Sequence, residues 1–281
     1  MALVRIVTDS TADLDHDSAA SQGVEVVPIH VRWGETSFRD GVDLPPAEFY
    51  RLLATNGVHP ATAQPSPDDF TRVYASAPYD EGIVSIHISS KISGTCNSAR
   101  VAKESLGADA PIDIVDSGLN SAGLAMVVLA AARAARDGGT LPEVSAEARR
   151  ACEETRMIGL FDTMKYLVRG GRISPTIGLA ARFLRVKPIL TFREGEIVRA
   201  GLVRSRQEGM QRLLRVLTGM GPLRSVIVSH STSLEEVTEF VRRVTAEHRG
   251  GVDRVLQMGA ALGVHGGPGM IIVAARRAEA T

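Results

Sequence analysis

The rhythm of apolar and polar positions changes partway along the chain. In the first half, short β-rich runs alternate with longer amphipathic stretches. "LVRIVTD", "VEVVPIHVRW", "GIVSIHIS" and "IDIVDS" read as strands, most of them leading into polar turns. "PPAEFYRLLAT" opens with prolines suited to a first helical turn and closes before Gly57. "SPDDFTRVYASA" repeats that design, with Ser66 as N-cap and Pro67 at the first helical position. A helix follows Gly94, "NSAGLAMVVLAAARAARDGG" is a helix ended by glycines, and "LPEVSAEARRACEETR" is another. Strands alternating with helices predict a mainly parallel sheet covered on both faces.

After "MIGLFDT" the pattern differs. Gly170 and Gly171 predict a turn, with Ser174 as a cap and Pro175 opening the helix "PTIGLAARFL". "KPILTFREGEIVRAGLVRS" predicts a β-hairpin around a Gly-containing loop. "RQEGMQRLLRVLTGMG" is a helix and "RSVIVSHS" a strand. "SLEEVTEFVRRVTAEHRGG" is an amphipathic helix with a capping-box start, Ser233 and Glu236. "DRVLQMG", "ALGVHGGPG" and "MIIVAARR" read as short strands and a glycine turn. Hairpins with helices predict a mixed sheet covered on one face. A length of 281 residues accommodates two domains. The expectation is an α/β protein: a three-layer domain with a mainly parallel sheet over 1–156, and a two-layer domain with a mixed sheet over 157–281.

Composition narrows the function. Acidic and basic residues balance at 32 each, and no basic stripe with interleaved aromatics marks a nucleic-acid surface. Cys96 and Cys152 lack metal-ligand spacing. A disulfide between them stays open, but two thiols in such a chain fit a reducing cytoplasm better. No signal peptide precedes "VRIVTDS", so the expected location is the cytoplasm. "SAGLAMVVLAAARAA" is broken by Arg133 and Arg136, too short for a membrane span, and reads as a buried core helix.

Hydroxyls gather in loops that follow strands: "TDSTADL", "ATAQPSP", "SSKISGT" and "DSGLNSAG". In an open parallel sheet, such loops form the ligand crevice at the strands' carboxyl ends. Taken singly, each also reads as an ordinary helix cap. Ser93-Gly94-Thr95 carries most information. A helix starting there aims unpaired amides at whatever precedes it, and two hydroxyls could add donors. Gly94 would permit close approach of a ligand to the backbone. No Lys or Arg lies in the loop except Lys91, which suits a small carboxylate better than a triphosphate. No Walker motif is present.

Two other chemistries compete. Ser93 with Asp116 and His265 or His230 would make a serine hydrolase or acyltransferase, although "KISGT" is not a nucleophile elbow. A binder of small phosphorylated or keto metabolites is the other. No His-x-x-x-His helix or acidic cluster with ligand spacing points to a metal. His265, among glycines in "GVHGGPG", is either a turn histidine bonded to backbone or a donor to an anion. Arg172 in "RGGRIS" and Arg204 in "LVRSR" sit in or beside turns, placed for phosphate or a partner's carboxylates.

Taken together, "VTDSTADL", "TAQPSP", "SSKISGTCNSA", "DSGLNSAG", "YLVRGGRIS", "KPIL", "GEI" and "GVHGGPG" resemble, in order and spacing, the DegV family of bacterial fatty-acid-binding proteins. The resemblance covers almost the whole chain. It implies two α/β domains with a fatty acid buried between them and no catalytic residue of their own. The implied carboxylate ligands are Thr62 and Ser93, with Gly94 and Thr95 beside them. It also implies a separate ATP-dependent kinase that phosphorylates the presented carboxylate to an acyl phosphate, met by Arg172, Arg204 and His265. No cofactor is implied beyond the bound fatty acid. The chain departs from the family pattern at Ala63, Cys96 and Gly266, positions where a serine, an aromatic and a hydroxyl residue are common. The metabolite alternative rests on analogy with the related dihydroxyacetone-kinase fold.

Overall fold

A computed structural model describes residues 3–76, 81–107, 109–173, 186–248 and 250–278. In the first half run β1 (Arg5–Asp9), a 3-10 turn (Ser10–Ala12), α1 (His16–Ser21), β2 (Val24–Val27), β3 (His30–Trp33) and β4 (Thr36–Arg39). They are followed by α2 (Pro46–Thr55), β5 (Ala61–Ala63), α3 (Pro67–Tyr74), β6 (Ile83–His87), α4 (Thr95–Leu106), β7 (Ile112–Asp116), α5 (Ser121–Arg136) and α6 (Leu141–Glu154). The second half holds β8 (Thr155–Leu160), α7 (Lys165–Arg169), β9 (Lys187–Arg193), β10 (Glu196–Val203) and α8 (Arg206–Thr218). It ends with β11 (Leu223–His230), α9 (Leu234–Glu247), β12 (Arg254–Gln257), α10 (Ala260–Gly266) and β13 (Ile271–Arg277).

Three sheets form among the described residues. β2-β1-β6-β7 is wholly parallel. β10-β9-β8-β13-β11-β12 is mixed, with β11 and β12 its parallel pair. β4-β3-β5 is a small antiparallel sheet. The fold is therefore mixed α/β, parallel in its N-terminal part and mixed in its C-terminal part, as the alternation predicts.

The apolar helix α5 explains how the halves join. Leu124, Val127 and Val128 are fully buried, and the helix touches β1 and β6 on one side and β8, β11 and β13 on the other. One hydrophobic cluster consequently runs from Ile6 and Ile86 through α5 to Ile227 and Ile272. On the outer face of the parallel sheet, Phe70 and Tyr74 of α3 and Ala99 of α4 pack on Val7 and Ile83. On the outer face of the mixed sheet, Leu213 of α8 and Phe240 of α9 pack on Val226 and Val273. Each such buried side chain contributes about 1.5–3 kcal/mol.

Capping follows the sequence in several places. Ser66 and Asp69 form the reciprocal capping box of α3 with Pro67 in its first turn. Ser233 accepts from the Glu236 amide at the start of α9. The hairpin β9–β10 turns on Glu194 and Gly195, both left-handed at φ 52° and 82°, the geometry of a two-residue primed turn.

Three local readings are corrected. "VEVVPIHVRW" is two strands in two sheets, because Pro28 has no amide to donate and breaks the ladder. Residues 61–63 are not loop but strand β5, pairing Thr62 with Val31. "ALGVHGG" is not strand and turn but helix α10, and its glycines are there for packing. A Cβ at Gly263 would meet Phe49 Cε1 at 2.3 Å, and one at Gly266 would meet Met270 Sδ at 1.9 Å. The predicted Ser174 cap and the helix opening at Pro175 lie outside the described residues.

Candidate functional site

Loops from the carboxyl ends of β1, β6 and β7 meet strand β5, helix α10 and the inner face of the mixed sheet. Between them lies a cavity of about 910 Å³, its open mouth included. Its walls are mostly apolar: Ile88 and Ile92 from the loop after β6, Met157 and Phe161 around β8, Leu190 from β9, Leu262 from α10. Polar groups in the wall include Thr11, Thr62, Gln64, Ser93, Asn120 and His265, with Arg172 from the turn after α7.

The predicted site residues divide accordingly. Thr62, Ser93, Gly94, Arg172 and His265 all line this cavity. Thr95 does not. It is fully buried behind Ser93, its Oγ1 2.8 Å from Ser93 Oγ, and its amide donates to Ser93 Oγ at 3.3 Å. Thr95 thus orients the serine. Arg204 lies outside the lining, exposed, with its amide donating to Glu208 Oε2.

Thr62 and His265 stand 203 residues apart in the chain, yet Thr62 Oγ1 and His265 Nε2 are 2.8 Å from each other. Burial, aided by the charges of Arg172 and His59, pushes the His265 imidazole down to about 4, so it is neutral at pH 7. Nδ1 is buried and has no acceptor, which favours the proton on Nε2. His265 then donates to Thr62 Oγ1 and leaves the Thr62 hydroxyl proton free to donate elsewhere. The ring fits because residue 170 is glycine: a Cβ there would lie 2.1 Å from Nδ1. Arg172 donates to the Gly170 carbonyl at 2.6 Å, bracing the same turn.

At Gly94 a side chain also approaches the backbone closely. A Cβ there would lie 2.0 Å from Gln64 Oε1, so what lies against the glycine is the Gln64 amide, which also donates to Ser98 at 2.9 Å. Gln64 stands inside "TAQPSP", but only the fold puts it in the cavity wall. Ser89 makes a second contact that local sequence does not announce. Its hydroxyl donates to the Gly195 carbonyl at 2.7 Å and docks the β9–β10 hairpin on the loop before α4. Of the departures from the family pattern, Cys96 is buried with its thiol toward the Ile88 carbonyl, and Gly266 is where the Met270 thioether needs room.

The hydrolase arrangement does not assemble. Ser93 Oγ bonds Thr95, His265 Nε2 bonds Thr62, His230 Nδ1 faces the Thr232 carbonyl, and Asp116 accepts from the Ser90 and Gly118 amides. A Ser-His-Asp chain does exist, Ser85 to His87 at 2.7 Å and His87 to Asp9 at 3.1 Å. All three residues are fully buried, and Tyr74 occupies the serine at 2.8 Å. Asp9 also accepts from the Thr11 and Ile88 amides, so the chain braces two cavity-lining segments. Among the described residues no group of three or more His, Cys, Asp or Glu could hold a metal, and no helix is long and apolar enough to cross a membrane.

The chain is similar to several known proteins over nearly its whole length. A DegV-domain-containing protein of Caldanaerobacter subterraneus is 32% identical over 274 residues, spanning 95% of this chain and 96% of the relative. A DegV family protein from Thermus thermophilus, described for its fatty-acid binding, superposes with a TM-score of 0.88 at 31% identity, covering 99% of this chain and 100% of the other. A stearic-acid-binding protein from Eubacterium ventriosum superposes equally well, TM-score 0.88, at 27% identity and 98% and 99% coverage. The model of the DegV family, described as uncharacterised protein, matches residues 3–277. This chain belongs to the DegV family.

Proposed function

We propose that the chain binds one long-chain fatty acid in the cavity between its domains, 1–156 and 157–281, and holds the carboxylate at Thr62, Ser93 and His265. The observation that carries the reading is an apolar cavity with a small set of uncharged donors in its wall. Roughly fourteen to eighteen buried carbons at about 0.8 kcal/mol each supply most of the affinity, so the head group needs no salt bridge. Neutral Thr62, Ser93 and His265 fix the carboxylate while leaving its charge intact. That suits a protein that presents the carboxylate, as nucleophile, to a partner kinase bearing ATP. Arg172, exposed at the cavity's turn, supports that second step. Arg204, exposed away from the cavity, is available to the partner alone.

Calorimetric titration with oleate, stearate and glycerol phosphates tests the binding step. Fatty acids should bind and the phosphates should not. Thr62→Ala and Ser93→Ala should each weaken binding by about 1–3 kcal/mol, the cost of a lost bond to a charged group. Unchanged affinity in the double variant would remove the site assignment. A serine-directed fluorophosphonate should leave the protein unlabelled; labelling at Ser93 would instead support the hydrolase. For the partner step, Arg204→Ala, outside the cavity wall, should spare oleate binding and reduce acyl-phosphate formation with a kinase of the source organism. Loss of both activities together, or of neither, would count against a partner contact at Arg204.

A further inference from the structure

Two buried carboxylates lie at the far end of the helix that carries His265. Asp13 is 6% exposed and Asp40 3%. Each reaches the first turn of α10: the Gly259 amide donates to Asp13 Oδ1 at 3.0 Å and the Ala260 amide to Asp40 Oδ1 at 2.7 Å. Their other oxygens tie that turn to distant parts of the chain. Asp13 Oδ2 accepts from Ser121 at 2.6 Å and from Ser229 on β11 at 2.7 Å. Asp40 Oδ2 accepts from Ser10 at 2.7 Å.

The arrangement is closely built. Asp13 and Ser121 both hold left-handed backbone, φ 55° and 49°, uncommon for a serine and readier for an aspartate. A Cβ at Gly259 would lie 3.0 Å from Asp40 Oδ1, so the glycine is what lets that carboxylate in. No cation pairs with either carboxylate among the described residues. Burial foremost pushes Asp13 up to about 7 and Asp40 up to about 6. The facing ionisable groups are Asp40 and Tyr50 toward Asp13, and Asp9 and Tyr50 toward Asp40, while Asp15, His16, Glu25 and Arg72 line the crevice whose floor the two carboxylates share. Burying two charges without a cation opposes folding at neutral pH, so the pair is held there against a cost in stability. Anionic groups at a helix N-terminus complement its dipole and bond its first amides more strongly than neutral groups do.

We propose that Asp13 and Asp40 are positioning residues of the head-group site, anchoring the first turn of α10 and so holding His265 against Thr62. The inference rests on the fatty-acid reading of the cavity, but its first readout does not. From Ala260 to His265 the helix advances about 7.5 Å, and a loosened first turn carries the imidazole with it.

The test uses the full chain with Asp13→Asn, Asp40→Asn and both together, near-isosteric changes that remove charge and keep shape. Three quantities are read: the melting temperature at pH 7.5, the His265 ring signals by NMR without ligand, and oleate affinity. The expected result is an unchanged or raised melting temperature, a His265 titration midpoint moved up from about 4, and oleate affinity reduced at least fivefold. If melting temperature and affinity fall together, or the His265 signals and the affinity stay unchanged in the double variant, the proposal is overturned. Should the variants not fold, the wild type decides. Its His265 ring shifts should move as the two aspartates titrate, and should keep moving when His59, the other histidine whose charge reaches the ring, is replaced by glutamine. A flat profile overturns the proposal. If the wild type binds no oleate while His265 responds to the aspartates, the fatty-acid reading fails and the positioning role stands.

Discussion

Gly170→Ala is a one-carbon probe of the head-group site. The backbone at 170 is right-handed helical, φ −75°, so alanine is conformationally allowed there. In a helical terminus it should even gain up to about 1 kcal/mol over glycine. The added carbon, however, would sit 2.1 Å from His265 Nδ1, whereas ordinary contacts begin at 3.4 Å. The rigid ring has to move by more than an ångström, which breaks its 2.8 Å bond to Thr62. A displaced ring loses a bond to the bound carboxylate, about 1.5–3 kcal/mol or roughly tenfold or more in affinity. It also gains access to water, so its depressed pKa should climb from about 4 toward the ordinary histidine range. Oleate calorimetry and NMR titration of His265 measure both effects in one protein. An alanine variant that binds oleate like the wild type, with the His265 midpoint still near 4, would refute the reasoning that this imidazole is held by its packing and holds the ligand.

Two further outcomes follow from buried groups. Because burial raises Asp13 to about 7 and Asp40 to about 6, folding favours their neutral forms. The stability they contribute is full below about pH 4, the unfolded aspartate value, and is lost as pH rises through those two values. Asp43 and Glu239, both lowered to about 2 by arginine partners, act in the opposite sense, but only as pH falls below about 4. The melting temperature should therefore rise from pH 8 to pH 5, and Asp13→Asn with Asp40→Asn should flatten that rise; an equally steep rise in the double variant would contradict it. Burial also pushes the Cys96 and Cys152 thiols up to about 12, so neither is a thiolate at pH 8. Iodoacetamide should alkylate the native protein slowly and the denatured protein completely, and rapid native labelling at Cys96 would count against its burial.

How legible these features were depended on the range of the interactions behind them. Helices α5 and α9 are long and strongly patterned, and α3 carries its cap in adjacent residues, so local sequence is enough. Strand β5 is three residues long and exists because Thr62 pairs with Val31, which no local pattern announces. Helix α10 misleads because four glycines in "LGVHGGPG" suggest turns. Its start is set by Asp13 and Asp40, more than 200 residues upstream, and its glycines by Phe49, Tyr166 and Met270. The same distance effect divides the site. Thr62 and Ser93 stand in recognisable loops and Arg172 on a recognisable turn, whereas the contact of Thr62 with His265 and the reason for Gly94 depend on side chains that only the fold brings together. Local motif and position also part company at Arg204, which shares a turn-side setting with Arg172 but not its place in the cavity wall.

Native mass spectrometry of the purified protein, followed by organic extraction, measures directly whether the cavity holds one fatty acid. The expected spectrum shows a mass excess equal to one long-chain fatty acid, lost on denaturation and recovered in the extract. Stripped protein should regain one equivalent from added oleate, and the Thr62→Ala, Ser93→Ala double variant should regain less. A protein with no mass excess that takes up no oleate after stripping would contradict it.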